Sequence, residues 1–522
     1  MFFSITTAKV QNNLENRNKL FNFAFSFIEH MNESNKESYS HVLKYTSIFG
    51  GVQGLNMLVS LVRNKAAALL LGAGGMGLST LMTSVQNFAA QCTNLGISFG
   101  SVPRLSACYE KGDAEGLAFS IQVTRLWSLI AAMLGFVFCI VISPLVDNLS
   151  FSWGNHTLHY AMLAVSVAMM AITGGEVAIL KATRQLGSLA KIQTLMAVAS
   201  LFISIPLYYY FYQSGVVPAI VLTAIATMMV TVVYSYRHYP LSLRFTRDML
   251  KSGADMVKLG LAFVVAAAIG SASEMFVRSF LNVEGDMDDV GFYNVTYMLC
   301  ITYAGVVFSS MDTDYFPRLS AVSKDIAKTN ETVNKQMEVS LLILSPMLVA
   351  LLSLLPILVP LLFSSAFLPM VATAQVAVLA MFFKVLTMPM AYITLARSRS
   401  VSYLFLETSY FVVLVISIVL GFRWWGIWGT GLALLIAHVI ELGIVGGFAY
   451  WQYNYRVTRM VIRYWLIQLS IGIAAYTITL SLEGWPYWMT EAALTIVSTA
   501  YSVHVLRQKT HLWESLKRRF RI

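Results

Sequence analysis

The sequence predicts an all-α polytopic membrane protein of about 14 transmembrane helices: two six-helix lobes in a parallel pseudo-two-fold repeat, followed by a C-terminal helix pair. Three observations predict it. Hydrophobic residues make up 57% of the 522 positions and charged residues only 12%, against about 25% charged in soluble domains. Apolar runs long enough to cross a bilayer recur from end to end. Finally, two stretches share one pattern: Arg63, Gly77 and Pro103-Arg104-Leu105-Ser106-Ala107, then Arg278, Gly291 and Pro317-Arg318-Leu319-Ser320-Ala321. Gly to Pro is 26 residues in both, and Arg to Gly is 14 in the first and 13 in the second, for a repeat offset of 214. Five shared letters can arise by chance in so biased a chain, but the shared spacing makes duplication the better explanation.

Residues 1–42 read as a cytoplasmic tail. Residues 1–30 lack the contiguous apolar core and small-residue cleavage site of a secretory signal. They are either an amphipathic tail or lie upstream of a true start at Met31. The N-lobe, 43–236, carries spans near 43–71, 76–102, 121–143, 159–180, 192–212 and 217–236. A basic cytoplasmic linker, 237–258, holds Arg237, Arg244, Arg247, Lys251 and Lys258. The C-lobe, 259–451, carries spans near 259–282, 291–311, 339–363, 371–395, 403–422 and 426–451. Residues 452–506 hold the last pair, 464–482 and 487–506, and 507–522 form a basic cytoplasmic tail.

Orientation follows from Lys and Arg. With the N-terminus inside, and Lys44 at the inner end of span one counted with the cytoplasmic side, exterior loops carry one (Arg423), five lie within spans, and the other 30 of the 36 fall on the cytoplasmic side. The net charge of +10 is therefore a topology signal, with contact to anionic lipid headgroups as a further role. Nucleic-acid binding is excluded, since no soluble basic module exists to perform it. Six spans is an even number, so both halves start on the same side and the repeat axis lies along the membrane normal. In PRLSA the proline is expected to end a span and the arginine to add inside charge. The four cysteines, Cys92, Cys108, Cys139 and Cys300, show neither a paired metal spacing nor a disulfide framework, and no metal site or cofactor is expected. A membrane enzyme needs catalytic groups in large exterior loops. The largest here, 144–158, offers only Asp147 and His156.

Duplicated halves in a membrane protein usually move against each other around a central site, so charges inside the spans matter most. A charge facing lipid costs ~2.5–3.5 kcal/mol on insertion scales. Arg63 and Lys65 sit within span one with no nearby carboxylate on that helix, and Lys384 sits mid-span ten in the same condition. Arg278 follows Glu274 at i,i+4, which permits a self-neutralised pair or a functional one. Arg125 is expected to snorkel, and Glu176 and Glu407 to lie near cytoplasmic ends. His438 and Glu441, at i,i+3, could relay a proton or form a satisfied helix contact. The deepest unpaired charges are all positive, which favours an anion, and phosphate suits guanidinium and ammonium donors. Gln53, Asn56, Gln86, Asn87, Gln91 and Asn94 add hydrogen-bonding capacity along spans one and two, or serve as helix–helix glue. Gly50, Gly51 and Gly54 make span one bendable.

The segment Lys65-Ala-Ala-Ala-Leu-Leu-Leu-Gly-Ala-Gly-Gly-Met-Gly-Leu78, leading into a polar second helix, resembles the opening of Wzx-type flippases. These O-antigen and lipid-linked oligosaccharide translocases belong to the multidrug/oligosaccharidyl-lipid/polysaccharide exporter superfamily. Relatives often carry Gly-Pro where this chain has Ala73-Gly74. The resemblance covers roughly residues 40–506 in architecture, on a short local motif. It implies two lobes around a central cavity that alternates its access across a bacterial plasma (inner) membrane. The implied cargo is an undecaprenyl-pyrophosphate-linked oligosaccharide, passed on to polysaccharide polymerase machinery. Its pyrophosphate would sit against Arg63, Lys65, Arg278 and Lys384. Glu274, His438 and Glu441 are the candidates for coupling to a proton or sodium ion. A lipid II flippase of the same superfamily would use the same cations. A drug/cation antiporter of this fold predicts carboxylates deep in the cavity, and span one has none.

Overall fold

The computed structural model describes residues 54–150, 156–241, 246–397 and 399–509. Gln53 and the tail 1–42 lie outside them. Within them the chain is helical, with no strand. Helix α1 (Gly54–Thr93) holds the first two arms, joined where Gly72 takes φ +70°. That left-handed conformation costs glycine nothing and most other residues a clash. The second arm breaks again at Asn94–Gly96 and resumes as α2 (Ile97–Lys111). Then come α3 (Ala114–Ser150), α4 (Thr157–Ala182), α5 (Leu186–Phe211) and α6 (Val216–His238). Helix α7 (Arg247–Glu284) leads to α8 (Met287–Tyr297), a π-helical segment Met298–Tyr303 and α9 (Ala304–Val322). Next are α10 (Ile326–Leu362), α11 (Val371–Ala396), and α12 (Ser400–Tyr453), which is two arms bent at Trp425–Gly426. Last are α13 (Arg459–Ser481) and α14 (Gly484–Lys509).

Nine helical stretches are long and apolar enough to cross a membrane among the described residues. Three of them, Gly54–Thr93, Leu186–His238 and Val401–Tyr453, each contain two arms. The chain is a multi-pass, all-α membrane protein, as the composition predicts. The second half of the basic linker is not a loop. It forms the first turns of α7, because Met249 and Met256 bury against the N-lobe and the Trp127 indole donates to the Met249 carbonyl at 3.3 Å.

The PRLSA prolines do not end their helices. Pro103 and Pro317 lie inside α2 and α9, which continue to Lys111 and Val322. What the two copies share is a facial pattern. Leu105 and Leu319 are fully buried, while Arg104 and Arg318 are exposed and reach Ser252 and Gln336.

The two lobes pack differently. Around α10 and α11 a continuous apolar core runs from Leu341 through Leu352, Val359 and Phe367 to Phe382, and α13 and α14 close against it. In the N-lobe the apolar clusters are smaller and separate, because α1, α4, α5 and α6 turn polar faces toward one another.

The lobes meet at the face that the charge distribution assigns to the exterior. Gly77 and Gly291, the matching glycines of the repeat, lie backbone against backbone. A Cβ on Gly77 would collide with the Met287 carbonyl and the Gly291 nitrogen, and one on Gly291 with the Ala73 carbonyl. Beside them Ser150 Oγ and Ser279 Oγ stand 2.8 Å apart and Asn282 donates to the Ser150 carbonyl at 2.6 Å. Lys65 Nζ donates to the Pro360 carbonyl at 2.8 Å. That carbonyl is in the last turn of α10, where helix carbonyls lack intrahelical partners and a cation is favoured.

Two outcomes are expected at this seam. Gly291→Ala overpacks a backbone contact, a class of change that costs about 1–3 kcal/mol. It should lower the thermal midpoint and raise labelling of a cysteine at Ser79 by an impermeant thiol reagent; unchanged values on both would refute the contact. Burial, with Asp286 and Asp288 beside it, pushes the Asp289 carboxyl up to about 6. A raised carboxyl stabilises the fold below its ordinary value near 3.8, and that contribution is lost as pH rises through about 6. Asp289→Asn should therefore raise the thermal midpoint at pH ~7.5 and leave it unchanged at pH ~3.5.

Candidate functional site: a cationic, carboxylate-free cavity

A cavity of about 810 Å³ opens among α1, α2, α4, α5 and α6, with α8 contributing Asn294 at its edge. It runs from Met76, Tyr208 and Ala219 near the seam to Lys181 at the opposite end of α4. Two cations line it, Arg63 and Lys181, and no lining residue is a carboxylate. Neither cation makes a salt bridge or hydrogen bond among the described residues. An unpaired guanidinium in a low-dielectric bundle is costly unless water or an anion meets it. Around Arg63 the cavity presents hydroxyls from Ser60, Ser79 and Thr83 and amides from Asn64 and Gln86 among apolar side chains. Such a cavity attracts anions and repels cations.

The four cations expected to converge are separated. Arg63 lines the cavity. Lys65, two residues on, points instead to the Pro360 carbonyl. Arg278 pairs with Glu274 at 3.0 Å, the arrangement their spacing permits, and its side chain is 7% exposed. Lys384 turns away from the cavity into the C-lobe, with its ammonium 5.6 Å from the Tyr410 ring centre. There His438, fully buried, stacks on Tyr410 at 5.2 Å and contacts Glu441 at 2.6 Å. Glu407 and Glu441 both lie within electrostatic reach of Lys384. The polar residues of the first two arms also divide. Gln86 lines the cavity, whereas Asn94 and Gln91 bond each other at 2.8 Å and Asn94 accepts from Gly96 N, which stabilises the helix break. Asn56 Oδ1 is buried without a hydrogen-bond partner among the described residues.

Two expectations about charges are corrected. Arg125 does not snorkel and Glu176 does not rest at a wet helix end. They form a buried two-pronged pair at 2.8 and 3.2 Å. Ser235 donates to Glu176, and Arg125 donates to the Tyr239 and Pro240 carbonyls and lies over the Tyr236 ring. Both charges are satisfied because α6 and its following turn close over them. Asp147 accepts from the His156 backbone and the Thr157 hydroxyl, a structural role at the start of α4.

Sequence reasoning missed two residues. Lys181 looks like one more cytoplasmic lysine, and no local signal separates it from Arg184 or Lys191. Glu491 lies within span fourteen and was visible as a fifth intramembrane carboxylate; it is 1% exposed, with one oxygen on the Ser353 hydroxyl.

The cavity lies within the N-lobe of a multi-pass helical bundle. The chain matches the family described as polysaccharide biosynthesis protein over residues 67–372 and belongs to that family. No curated protein matches it. Its fold is that of the multidrug/oligosaccharidyl-lipid/polysaccharide superfamily. The lipid II flippase MurJ, in an inward closed conformation, superposes with a TM-score of 0.64 at 14% identity, covering 88% of this chain and 99% of that one. A multidrug-resistance MATE transporter in its inward-facing conformation gives 0.61 at 15% identity, covering 76% and 94%. An outward-facing MATE structure gives 0.53 at 14%, covering 79% and 96%.

Proposed function

We propose that this protein is a flippase that moves an undecaprenyl-pyrophosphate-linked oligosaccharide from the cytoplasmic to the outer leaflet of a bacterial plasma membrane by alternating access. One observation carries the reading: the cavity holds two unpaired cations and no carboxylate. In a member of a polysaccharide biosynthesis family, the matching anion is the pyrophosphate of a lipid-linked sugar. In this reading Lys181, exposed at the cavity's mouth, meets the headgroup first, and Arg63 holds it further in. With the seam at Gly77 and Gly291 closed, the cavity opens at the face bearing Lys181, which is the loading side. The flipped unit is then handed to polymerase machinery outside.

The fold shared with MurJ over 88% of the chain supports a second reading, a lipid II flippase. It would use the same two cations. The drug/cation antiporter reading has little support, because a cationic cavity repels such cargo.

Coupling belongs to the C-lobe in this proposal. His438, Glu441 and Glu407 surround Lys384 beside Tyr410, and the resident ammonium occupies the place where a sodium ion would need oxygen ligands. A proton is the better fit, with Glu274 kept neutralised by Arg278.

Two outcomes are expected. Arg63→Ala removes charge-assisted hydrogen bonds worth roughly 1.5–3 kcal/mol, so flipping of the lipid-linked glycan should fall about 10- to 100-fold at normal protein levels, and Lys181→Ala should weaken uptake less. Normal surface polysaccharide in both variants would sink the proposal. In proteoliposomes free of sodium, a proton gradient should still drive wild-type flipping and fail to drive Glu441→Gln. Strict sodium dependence would overturn the coupling assignment.

A further inference from the structure

The cavity wall has a directional chemistry that the two cations do not explain. On α5, Ser200 and Ser204 recur at four-residue spacing, and on the neighbouring antiparallel α6 so do Thr223 and Thr227; all four line the cavity. The opposite face of α5 is apolar or aromatic, with Leu195, Phe202 and Tyr209 exposed. The hydroxyls are thus segregated to one side of the helix.

Three of the four place their protons on their own helix. Ser200 donates to the Ala197 carbonyl at 2.7 Å, Ser204 to the Ser200 carbonyl at 2.6 Å and Thr227 to the Thr223 carbonyl at 2.7 Å. Across the cavity, Thr173 donates to Met169 O and Thr83 to Ser79 O, each at 2.7 Å. A hydroxyl that has placed its one proton keeps only acceptor lone pairs. Back-bonding of this kind merely satisfies a serine or threonine that faces lipid. Facing a cavity, it makes a wall of acceptors. The strong donors stand elsewhere, Arg63 on α1 and Lys181 at the end of α4.

A wall of acceptors selects a ligand that brings donors without charge, as the hydroxyls of a sugar ring do. We propose that the cavity is divided into two subsites: a cationic one for the phosphate, and an acceptor wall on α5 and α6 that reads the sugar. Ser204 and Thr227 are its specificity-determining residues. This rests on the flippase reading above and adds to it a separation of roles. The cations bind what every lipid-linked unit has in common, and the wall discriminates among glycans.

The test uses the full-length protein in lipid nanodiscs and two probes: undecaprenyl pyrophosphate without sugar, and the same lipid carrying a neutral tetrasaccharide. Each hydroxyl–acceptor bond lost weakens binding several-fold. Ser204→Ala/Thr227→Val should therefore weaken the sugar-bearing probe roughly tenfold and leave the sugar-free probe within about twofold. Thr227→Ser, which keeps the acceptor, should bind both as wild type does. Equal weakening of both probes, or of neither, overturns the proposal. If the double variant does not fold, the single variants are compared on the same two probes, with retained sugar-free binding as proof of a native cavity. Arg63→Ala should weaken both probes. If it weakens neither, the flippase reading fails on its own, independently of the wall.

Discussion

The backbone contact between Gly77 and Gly291 is the constraint on which the remaining geometry depends. Because neither residue has a Cβ, the two lobes approach to main-chain distance on one face. Only at that separation can Ser150 reach Ser279, and Lys65 reach the free carbonyls at the end of α10. The cavity between α1 and α6 lies behind that seal, and on the other face α7 also packs on the N-lobe, with Gly100 against the Met256 carbonyl. The two glycines at matching places in the sequence pattern thus stand against each other.

The two lobes have different interiors. The C-lobe fills with leucine, valine and phenylalanine around α10 and α11, and its charges are drawn into a compact group of Lys384, Glu407, His438 and Glu441. The N-lobe leaves a space in which hydroxyls and two cations stand among apolar side chains. Electrostatics explains the division. In a bundle that excludes water, opposite charges are stable only when paired, as Arg125 with Glu176 and Arg278 with Glu274. A cation left without a partner must border water or await an anion, so its position marks the place for a ligand.

Much of this was legible in the chain because the bilayer restricts the solutions. With no water to satisfy the backbone, apolar stretches of this length must be helices. The Arg278–Glu274 pair was legible too, since i,i+4 spacing on one helix sets the distance. Pairs between helices were not. Glu176 and Arg125 are 51 positions apart, and only the closing of α6 over them makes one buried unit. Lys181 was indistinguishable from its basic neighbours because a lysine at a helix end looks the same whether it faces lipid headgroups or the mouth of a cavity. PRLSA misled through its proline, which here sits within a helix whose leucine packs inward and whose arginine faces out.

The sequence by itself determined the helical, membrane-embedded plan and the presence of charges within the spans, since these follow from composition and the solvent properties of lipid. Tertiary structure alone decided which cations are spent. Lys65 caps a helix of the other lobe, Arg278 and Lys384 face carboxylates or an aromatic ring, and Arg63 and Lys181 remain open to a cavity. That decision rests on which helix faces which, a choice made by packing across distances that no local pattern in the chain encodes.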